Sequence, residues 1–236
     1  EIPLSLGKIN KEITISRTKY LKAKRFLEKS IDNIFDIKCD IKKLKEGKTI
    51  LLVDFNPIFY PSLLEEISLK FSNIILLNQR RPAIWNKESL KIIRNSNCRI
   101  LRLEDFLGKK YELEITDIQE NEHLKIESIF SDQKIFEDFF SVNSISFWSS
   151  IKKDFISIIK QRTNEMVFRV YLLEKIFQII PFTVILNWAN SAYEERIVNH
   201  VSNHHKIPIL FLQHSMIAEA KKFDKFLPFQ PILPMD

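Results

Sequence analysis

The stretch that decides the fold is residues 183–215, in which two short apolar segments flank one helical segment. The first apolar segment, 183–187, reads TVILN, the helical segment, 191–205, reads SAYEERIVNHVSNHH, and the second apolar segment, 206–212, reads KIPILFL. Short apolar runs bounded by polar residues are typical of buried strands, so this stretch predicts a strand, a helix and a second strand. Ligands of open α/β sheets bind at the carboxyl ends of the strands, which is where we expect the functional site.

The same alternation of apolar segments and helical patterns extends upstream. Apolar residues dominate 49–53, 73–77 and 98–103, and helical periodicity follows the first two of these segments at 61–71 and 86–95. Strands that alternate with helices predict an α/β fold, with a Rossmann-like parallel sheet flanked by helices.

One region departs from this alternation. Apolar residues at three- and four-residue steps predict a helix at 134–141 and a helical region at 146–180, which together form a helical excursion. The polar run at 161–164 predicts a break in the second of them. The acidic segment 111–133 has weak periodicity, so we predict a loop or a peripheral excursion there.

Positive charge is concentrated near the start of the chain. Residues 1–48 contain 13 Lys/Arg and 7 Asp/Glu, whereas residues 49–236 contain 23 of each. Within the first segment, 17–37 has the periodicity of a basic amphipathic helix. We therefore expect a basic N-terminal helical segment, 1–48, and a Rossmann-like domain, 49–236. The basic surface is open to four interpretations: a solvated helix face, or contact with nucleic acid, anionic lipid or an acidic partner.

Glycine and cysteine usage excludes several classes of site. The three glycines, Gly7, Gly47 and Gly108, are too isolated to form a Gly-rich phosphate loop. The two cysteines, Cys39 and Cys98, lack metal-ligand spacing, and such sparse cysteines are typical of a reducing compartment. No apolar run reaches the length of about 18 residues that a membrane span needs. The sequence therefore predicts a cytoplasmic protein and no cofactor.

Polar side chains follow each predicted strand. Because parallel strands end at one edge of the sheet, we expect these side chains to meet there. Amide and guanidinium groups at such an edge suit ligands rich in hydroxyls and phosphates, although loops are also polar without any function. The predicted substrate-binding residues are Asn56, Arg80, Arg81, Asn187, Asn190, Glu195, Arg196, Gln213 and Ser215.

His214 is the predicted catalytic residue. It follows the last predicted strand, and imidazole is the side chain that most readily transfers protons near neutral pH. Packing and hydrogen bonding in the core is an equally good interpretation of a single histidine. Gln213 and Ser215 flank His214, and we expect them to orient its ring or to bind substrate.

The start of the 191–205 helix carries a capping signal. Ser191 and Glu194 have the spacing of a capping box, which predicts that Glu194 has a structural role. Glu195 and Arg196 follow, and we expect them to face a ligand near the positive end of the helix dipole.

Histidines cluster on the same helix. His200 and His204 lie four residues apart, as metal ligands on one helix face do, but no acidic third ligand lies at a usable spacing. The sequence therefore predicts no metal site.

The end of the chain resembles a known family. The segments NWANS at 187–191, EER at 194–196 and IPILFLQH at 207–214 resemble the end of the N-terminal domain in GT-B-type glycosyltransferases of surface-polysaccharide synthesis. They are also similar to CDP-glycerol glycerophosphotransferases and UDP-N-acetylglucosamine 2-epimerases. The tail at 226–236, FLPFQPILPMD, is similar to the family's approach to an Asp that precedes the second domain. The resemblance is close over 183–236 only.

This resemblance implies an acceptor-side, Rossmann-like half that lacks the donor-binding second domain and is inactive alone. In the family a histidine in this loop faces the interdomain cleft, a role that falls on His214. Ser215 stands where glycine is usual, so we expect a different turn after the histidine. The implied function is transfer of a sugar or related group from a nucleotide donor in surface-polysaccharide synthesis. The alternatives are a nucleotide-sugar epimerase or hydrolase, and a non-catalytic binding module.

The expected partners follow from this function. They are a nucleotide-sugar donor, held mainly by the missing domain, and a glycan or lipid-linked acceptor. The basic helix at 17–37 adds the expectation of peripheral membrane contact on anionic lipid. Nucleic acid is not expected, because most aromatic residues occupy helix-periodic apolar positions and are predicted to be core.

Overall fold

Strands and helices alternate along the chain. The structure, a computed structural model, describes residues 2–6, 9–15, 17–79, 83–84, 86–187 and 192–212. The strands are β1 (Ile2–Leu6), β2 (Ile9–Ile15), β3 (Thr49–Val53), β4 (Asn73–Leu77), β5 (Cys98–Ile100), β6 (Ser141–Val142), β7 (Ile145–Ser146), β8 (Phe182–Asn187) and β9 (Ile209–Phe211). The α-helices are α1 (Arg17–Ile34), α2 (Pro61–Lys70), α3 (Lys87–Asn95), α4 (Lys109–Ile129), α5 (Gln133–Phe139), α6 (Trp148–Ile179) and α7 (Tyr193–His204).

Five strands form one parallel sheet in the order β5-β4-β3-β8-β9. The register aligns Val53 with Leu77 on one side and with Asn187 on the other, at the carboxyl edge of the sheet. After β3 the chain continues through α2 to β4, whereas after β8 it continues through α7 to β9 on the opposite side. The carboxyl ends of β3 and β8 therefore flank a topological switch point. The predicted α/β fold, a Rossmann-like parallel sheet flanked by helices, is confirmed.

Helices cover both faces of this sheet, which explains the continuous apolar sequence of its central strands. All five residues of β3 and all five of β4 are buried. On one face Leu51 packs in a cluster with Leu172 of α6, and on the other Leu52 packs with Leu64 of α2. Burial on both faces is what an all-parallel sheet requires.

The acidic segment, predicted to be a loop or a peripheral excursion, is helix α4, so the loop prediction is wrong. α4 runs antiparallel to α6 and pairs with it through polar side chains. Glu127 bonds to Lys160, and His123 Nε2 lies 2.8 Å from Asn164 Oδ1. Two of the 21 residues of α4 are buried. A helix whose partner surface is this polar shows little apolar periodicity, so its sequence does not look helical.

The break predicted at 161–164 is also wrong, because α6 continues through these residues from Trp148 to Ile179. Within the polar run, Asn164 contacts α4, whereas the exposed Gln161 and Arg162 bond to Glu165 on the same helix. Gln119 Nε2 donates to the backbone oxygen of Asn164 at 3.1 Å. We refer to α4, α5, the β6–β7 hairpin and the first half of α6, residues 109–165, as the helical arm.

Residues 1–48 contain more than the predicted basic helix. β1 and β2 pair as an antiparallel hairpin ahead of α1. After α1, Ile37 and Cys39 are buried, and Lys38 forms a parallel bridge with Ile100 of β5. The chain thus joins the edge of the central sheet before the predicted domain boundary at residue 48.

Helix α1 exposes apolar side chains. Phe26 is 72% exposed and Ile34 is 74% exposed, so the prediction that helix-periodic aromatic residues are core is wrong for Phe26. Across the described ranges, none of the helices is both long enough and apolar enough to cross a bilayer.

Candidate functional site

The candidate site is the carboxyl rim, which we define as the polar residues that follow or end β3, β4 and β8, together with the start of α7. The structure describes five of these strand-end residues. They are Asp54 and Asn56 after β3, Asn78 and Gln79 after β4, and Asn187 at the end of β8. These residues border the switch point, where open α/β sheets bind ligands.

The loop after β3 turns sharply at the rim. Asp54 has a φ of +47°, which is uncommon for a residue other than glycine. Its Oδ1 accepts a hydrogen bond from the backbone N–H of Gln79 at 2.9 Å, which ties this loop to the end of β4. Asn56, 8% exposed, closes the next turn by accepting from the N–H of Ile58 at 3.0 Å. The predicted residue Asn56 therefore lies at the rim, with its carbonyl group engaged locally.

Arg169 of α6 reaches the rim from the helical excursion, and the sequence analysis missed it. Its guanidinium donates to Gln79 Oε1, and its Nη2 lies 3.6 Å from Glu194 Oε1 at the start of α7. The Nε2 of Gln79 is buried and has no hydrogen-bond partner among the described residues. The signal in the sequence is a single arginine between Phe168 and Val170 in an otherwise apolar stretch.

Asn187 is fully buried at the end of β8. Its Nδ2 donates to Asn199 Oδ1 at 2.8 Å, and its backbone oxygen accepts from the N–H of Leu212 at 2.9 Å. Its Oδ1 is buried and has no partner within the described ranges. The structure thus brings the predicted residue Asn187 to the switch point with one amide oxygen still to be satisfied.

The two glutamates at the start of α7 exchange their predicted roles. Ala192 precedes the helix, and its backbone N–H donates to Glu195 at 3.1 Å, so the cap partner is Glu195 and not Glu194. Glu195 is fully buried, which contradicts the expectation that it faces a ligand. Glu194 instead contacts Arg169 at the rim. The observed N-cap, Ala192, lies one residue after the predicted N-cap, Ser191, and this shift moves the cap partner from Glu194 to Glu195. The side chain of Arg196 is exposed on α7.

Several predicted site residues lie outside the described residues, and their roles stay predictions. They fall in three groups, and the described part of the chain stops just before each group, at Gln79, at Asn187 and at Leu212. The residues concerned are Arg80, Arg81, Asn190, Ser191, Gln213, His214 and Ser215.

The described rim offers polar groups that need partners. Besides Gln79 Nε2 and Asn187 Oδ1, Asn78 Oδ1 is buried without a partner in the part of the chain that the structure describes. A buried amide atom costs about 1–3 kcal/mol when nothing satisfies it. A ligand bearing hydroxyl or phosphate groups, or residues outside the described ranges, would supply the missing bonds.

Neither cysteine is suited to act as a nucleophile. Cys98 is 1% exposed and Cys39 is 7% exposed. Burial raises the pKa of Cys98 to about 12 and that of Cys39 to about 11, so both remain thiols at neutral pH.

The described surface also has a depression at the opposite, amino edge of the sheet. Its charged lining residues are Lys38, Lys43, Lys45, Arg99, Asp36 and Asp40. Ligands of open α/β sheets bind at the carboxyl ends of the strands, so we place the candidate site at the carboxyl rim.

Comparisons of the chain with protein-family models, with curated proteins and with solved structures found no match. The candidate site therefore rests on the fold and on the geometry of the rim.

Proposed function

We propose that this chain is the acceptor-side half of a glycosyltransferase-like enzyme that transfers a sugar or related group from a nucleotide donor in surface-polysaccharide synthesis. The observation that carries the proposal is the pair of buried amide atoms, Gln79 Nε2 and Asn187 Oδ1, at the carboxyl rim of a Rossmann-like sheet. One is a donor and the other an acceptor, which is the pairing that a sugar hydroxyl requires. Arg169 adds a cation suited to phosphate.

In this proposal the chain holds the acceptor and His214 moves the proton. His214 takes the proton from the acceptor hydroxyl as that oxygen attacks the anomeric carbon of the donor. The bond from the anomeric carbon to the nucleotide's phosphate oxygen breaks, and the nucleotide leaves with the bonding electrons. Arg169 and the rim amides orient the acceptor, so that the two reacting atoms meet.

Binding at the rim is tested with Arg169→Gln, which removes the cation and keeps a hydrogen-bonding side chain. We expect this variant to raise the Kd for N-acetylglucosamine 1-phosphate about tenfold, because a hydrogen bond to a charged group contributes about 1.5–3 kcal/mol. The Kd is measured by following NMR resonances as the sugar phosphate is added. Arg162→Gln is the matched control, because Arg162 lies on the same helix, is 66% exposed and pairs with Glu165 instead.

Equal affinities of the Arg169→Gln variant and the wild type for the sugar phosphate, with unchanged melting temperatures, would show that the rim does not bind the acceptor.

Measurements of catalysis separate the rival functions. In the full-length protein, His214→Ala should keep this binding but lower the rate of sugar transfer about 100-fold. Release of free nucleotide without glycosylation of an acceptor would instead indicate an epimerase or a hydrolase.

A membrane contact through α1 is part of the proposal, because a lipid-linked acceptor requires the enzyme near a bilayer. Phe26, Leu27 and Ile34 are 72%, 61% and 74% exposed, and at 100° per residue they lie within an arc of about 100°. They belong to the segment 1–48, which has six more basic than acidic residues, 13 against 7. An exposed apolar face in a basic segment suits an anionic membrane surface.

We expect replacement of Phe26, Leu27 and Ile34 together by serine to abolish binding to vesicles of phosphatidylcholine and phosphatidylglycerol. Loss of the apolar face leaves electrostatic attraction alone, which salt screens. The measurement is vesicle co-sedimentation at two salt concentrations. Leu69→Ser on α2 is the control, because Leu69 is 83% exposed but lies away from the basic helix. Undiminished sedimentation of the triple variant would refute the contact.

A further inference from the structure

Two histidines and one glutamate meet at the far end of the α6–α7 pair. Glu174 Oε1 lies 2.9 Å from His204 Nδ1, and Glu174 Oε2 lies 2.6 Å from His205 Nε2. One ligand atom from each of the three residues lies within 4.8 Å of the others. Glu174 is 30 residues from His204 in the chain, so the cluster exists because α6 and α7 pack together.

This cluster lies away from the carboxyl rim. α7 starts at the rim and runs back along the sheet, so His204 at its end lies near the amino edge. Phe177 packs 5.7 Å from the ring of His205 and 5.1 Å from the ring of Phe182, the first residue of β8. The His205 ring is thereby held against the core, with its side chain 20% exposed, while the side chain of His204 is 71% exposed.

We propose that Glu174, His204 and His205 bind a zinc ion. Imidazole nitrogen and carboxylate oxygen are the donors that zinc takes besides thiolate, and metal–ligand bonds of about 2.0–2.1 Å place tetrahedral ligand atoms about 3.3 Å apart. The three side chains need to move by little to reach that spacing. The exposed side of His204 leaves a fourth position for water.

The imidazole rings of His204 and His205 approach the two carboxylate oxygens of Glu174, one ring on each oxygen. A single cation placed among these three groups would be shared by all of them.

A metal here links the two helices at the end opposite to the rim. Arg169 and Glu194 connect α6 to α7 at the rim end, 3.6 Å apart, and Glu174 with His204 and His205 connects them at the other. The ion and the Arg169–Glu194 pair together fix α7 against α6 at the two ends of their contact. We assign it a structural role, since it is separated from the rim by the length of α7.

The test is titration of the chelator-treated protein with zinc, followed by calorimetry and by thermal unfolding. We expect one ion per chain and a rise in melting temperature of about 5–10 °C at a hundredfold excess of zinc over its Kd. His204→Ala and Glu174→Gln should each weaken binding at least about tenfold. Both are expected to fold, since His204 is at the surface and glutamine retains the hydrogen bonds of Glu174.

His200→Ala is the matched control, because His200 is an exposed histidine on the same helix outside the cluster. It should bind zinc as the wild type does. The proposal fails if no saturable binding appears, if His200→Ala weakens binding as much as His204→Ala, or if zinc binds equally well to the His204→Ala and Glu174→Gln variants. None of these results bears on the proposed transferase function.

Discussion

Replacing Arg102 with methionine is expected to lower the free energy of unfolding by about 3–5 kcal/mol at pH 7. Arg102 follows β5 and donates through Nε to Asp32 of α1, while its Nη1 lies 3.2 Å from Glu28 Oε2. Asp32 is 2% exposed. Without the guanidinium, the carboxylate of Asp32 is still desolvated but no longer has a cation beside it. We therefore expect α1 to detach from the edge of the sheet first.

The pH dependence of this loss has a defined sign. Burial raises the pKa of Asp32 above its ordinary value even though Arg102 opposes the shift. A carboxyl with a raised pKa takes up a proton more readily in the folded state than in the unfolded chain, so acid favours folding at this group. Removing Arg102 raises that pKa further. The deficit of the Arg102→Met variant should therefore be largest at neutral pH and shrink as the pH falls toward about 4.

Urea unfolding at pH 7 and pH 5 measures both effects. Arg162→Met is the control, because Arg162 pairs with Glu165 at the surface and should change stability by about 0.5 kcal/mol or less. The double variant Asp32→Leu with Arg102→Met removes both charges and should recover most of the loss. A loss below about 1 kcal/mol for Arg102→Met would show that water reaches Asp32.

Replacing Trp148 with alanine is expected to cost about 3–5 kcal/mol and to unfold the tip of the helical arm. The indole is fully buried. Its ring centroid lies 5.0 Å from that of Phe136, 5.1 Å from that of Phe140 and 5.7 Å from that of Phe155. These rings belong to a cluster separate from the two cores of the sheet, so no other apolar layer compensates for the cavity.

Hydrogen exchange of the backbone amides locates the effect of Trp148→Ala. We expect α5 and the C-terminal half of α4 to lose protection while β3 and β4 keep theirs, because the arm has its own core. Phe139→Ala is the matched control, since Phe139 is a neighbour in the arm but is 78% exposed. If Trp148→Ala destabilises the arm no more than Phe139→Ala does, the aromatic cluster does not hold the arm together.

The parallel sheet was predictable because its signal is local. The runs at 49–53 and 73–77 are apolar throughout, and a strand covered on both faces has no other pattern. The arm was predictable only in part. Its helix α4 is stabilised by polar partners on α6, such as Asn164 and Lys160, which lie 33 to 41 residues away in the sequence. Such distant polar contacts produce no apolar periodicity in the sequence of α4.

The candidate site shows the same division. Asn56 and Asn187 were found because they stand where apolar strands end. Arg169 was missed because its contact with Gln79 joins residues 90 positions apart. Glu194 and Glu195 were assigned the wrong way round, since an N-cap that shifts by one residue changes which carboxylate accepts from the backbone N–H.

The sequence alone determined the five strands of the parallel sheet, the helices α2, α3 and α7 that connect some of them, and the edge of the sheet at which polar residues gather, because hydrophobic periodicity acts over a few residues. Tertiary structure alone decided which distant side chains meet. It paired Arg102 with Asp32, brought Arg169 to the rim, and placed Glu174 beside His204 and His205. The physical reason is that a charged or polar side chain forms hydrogen bonds or ion pairs with whichever side chains the packed helices place beside it. Those partners lie at no fixed distance along the chain.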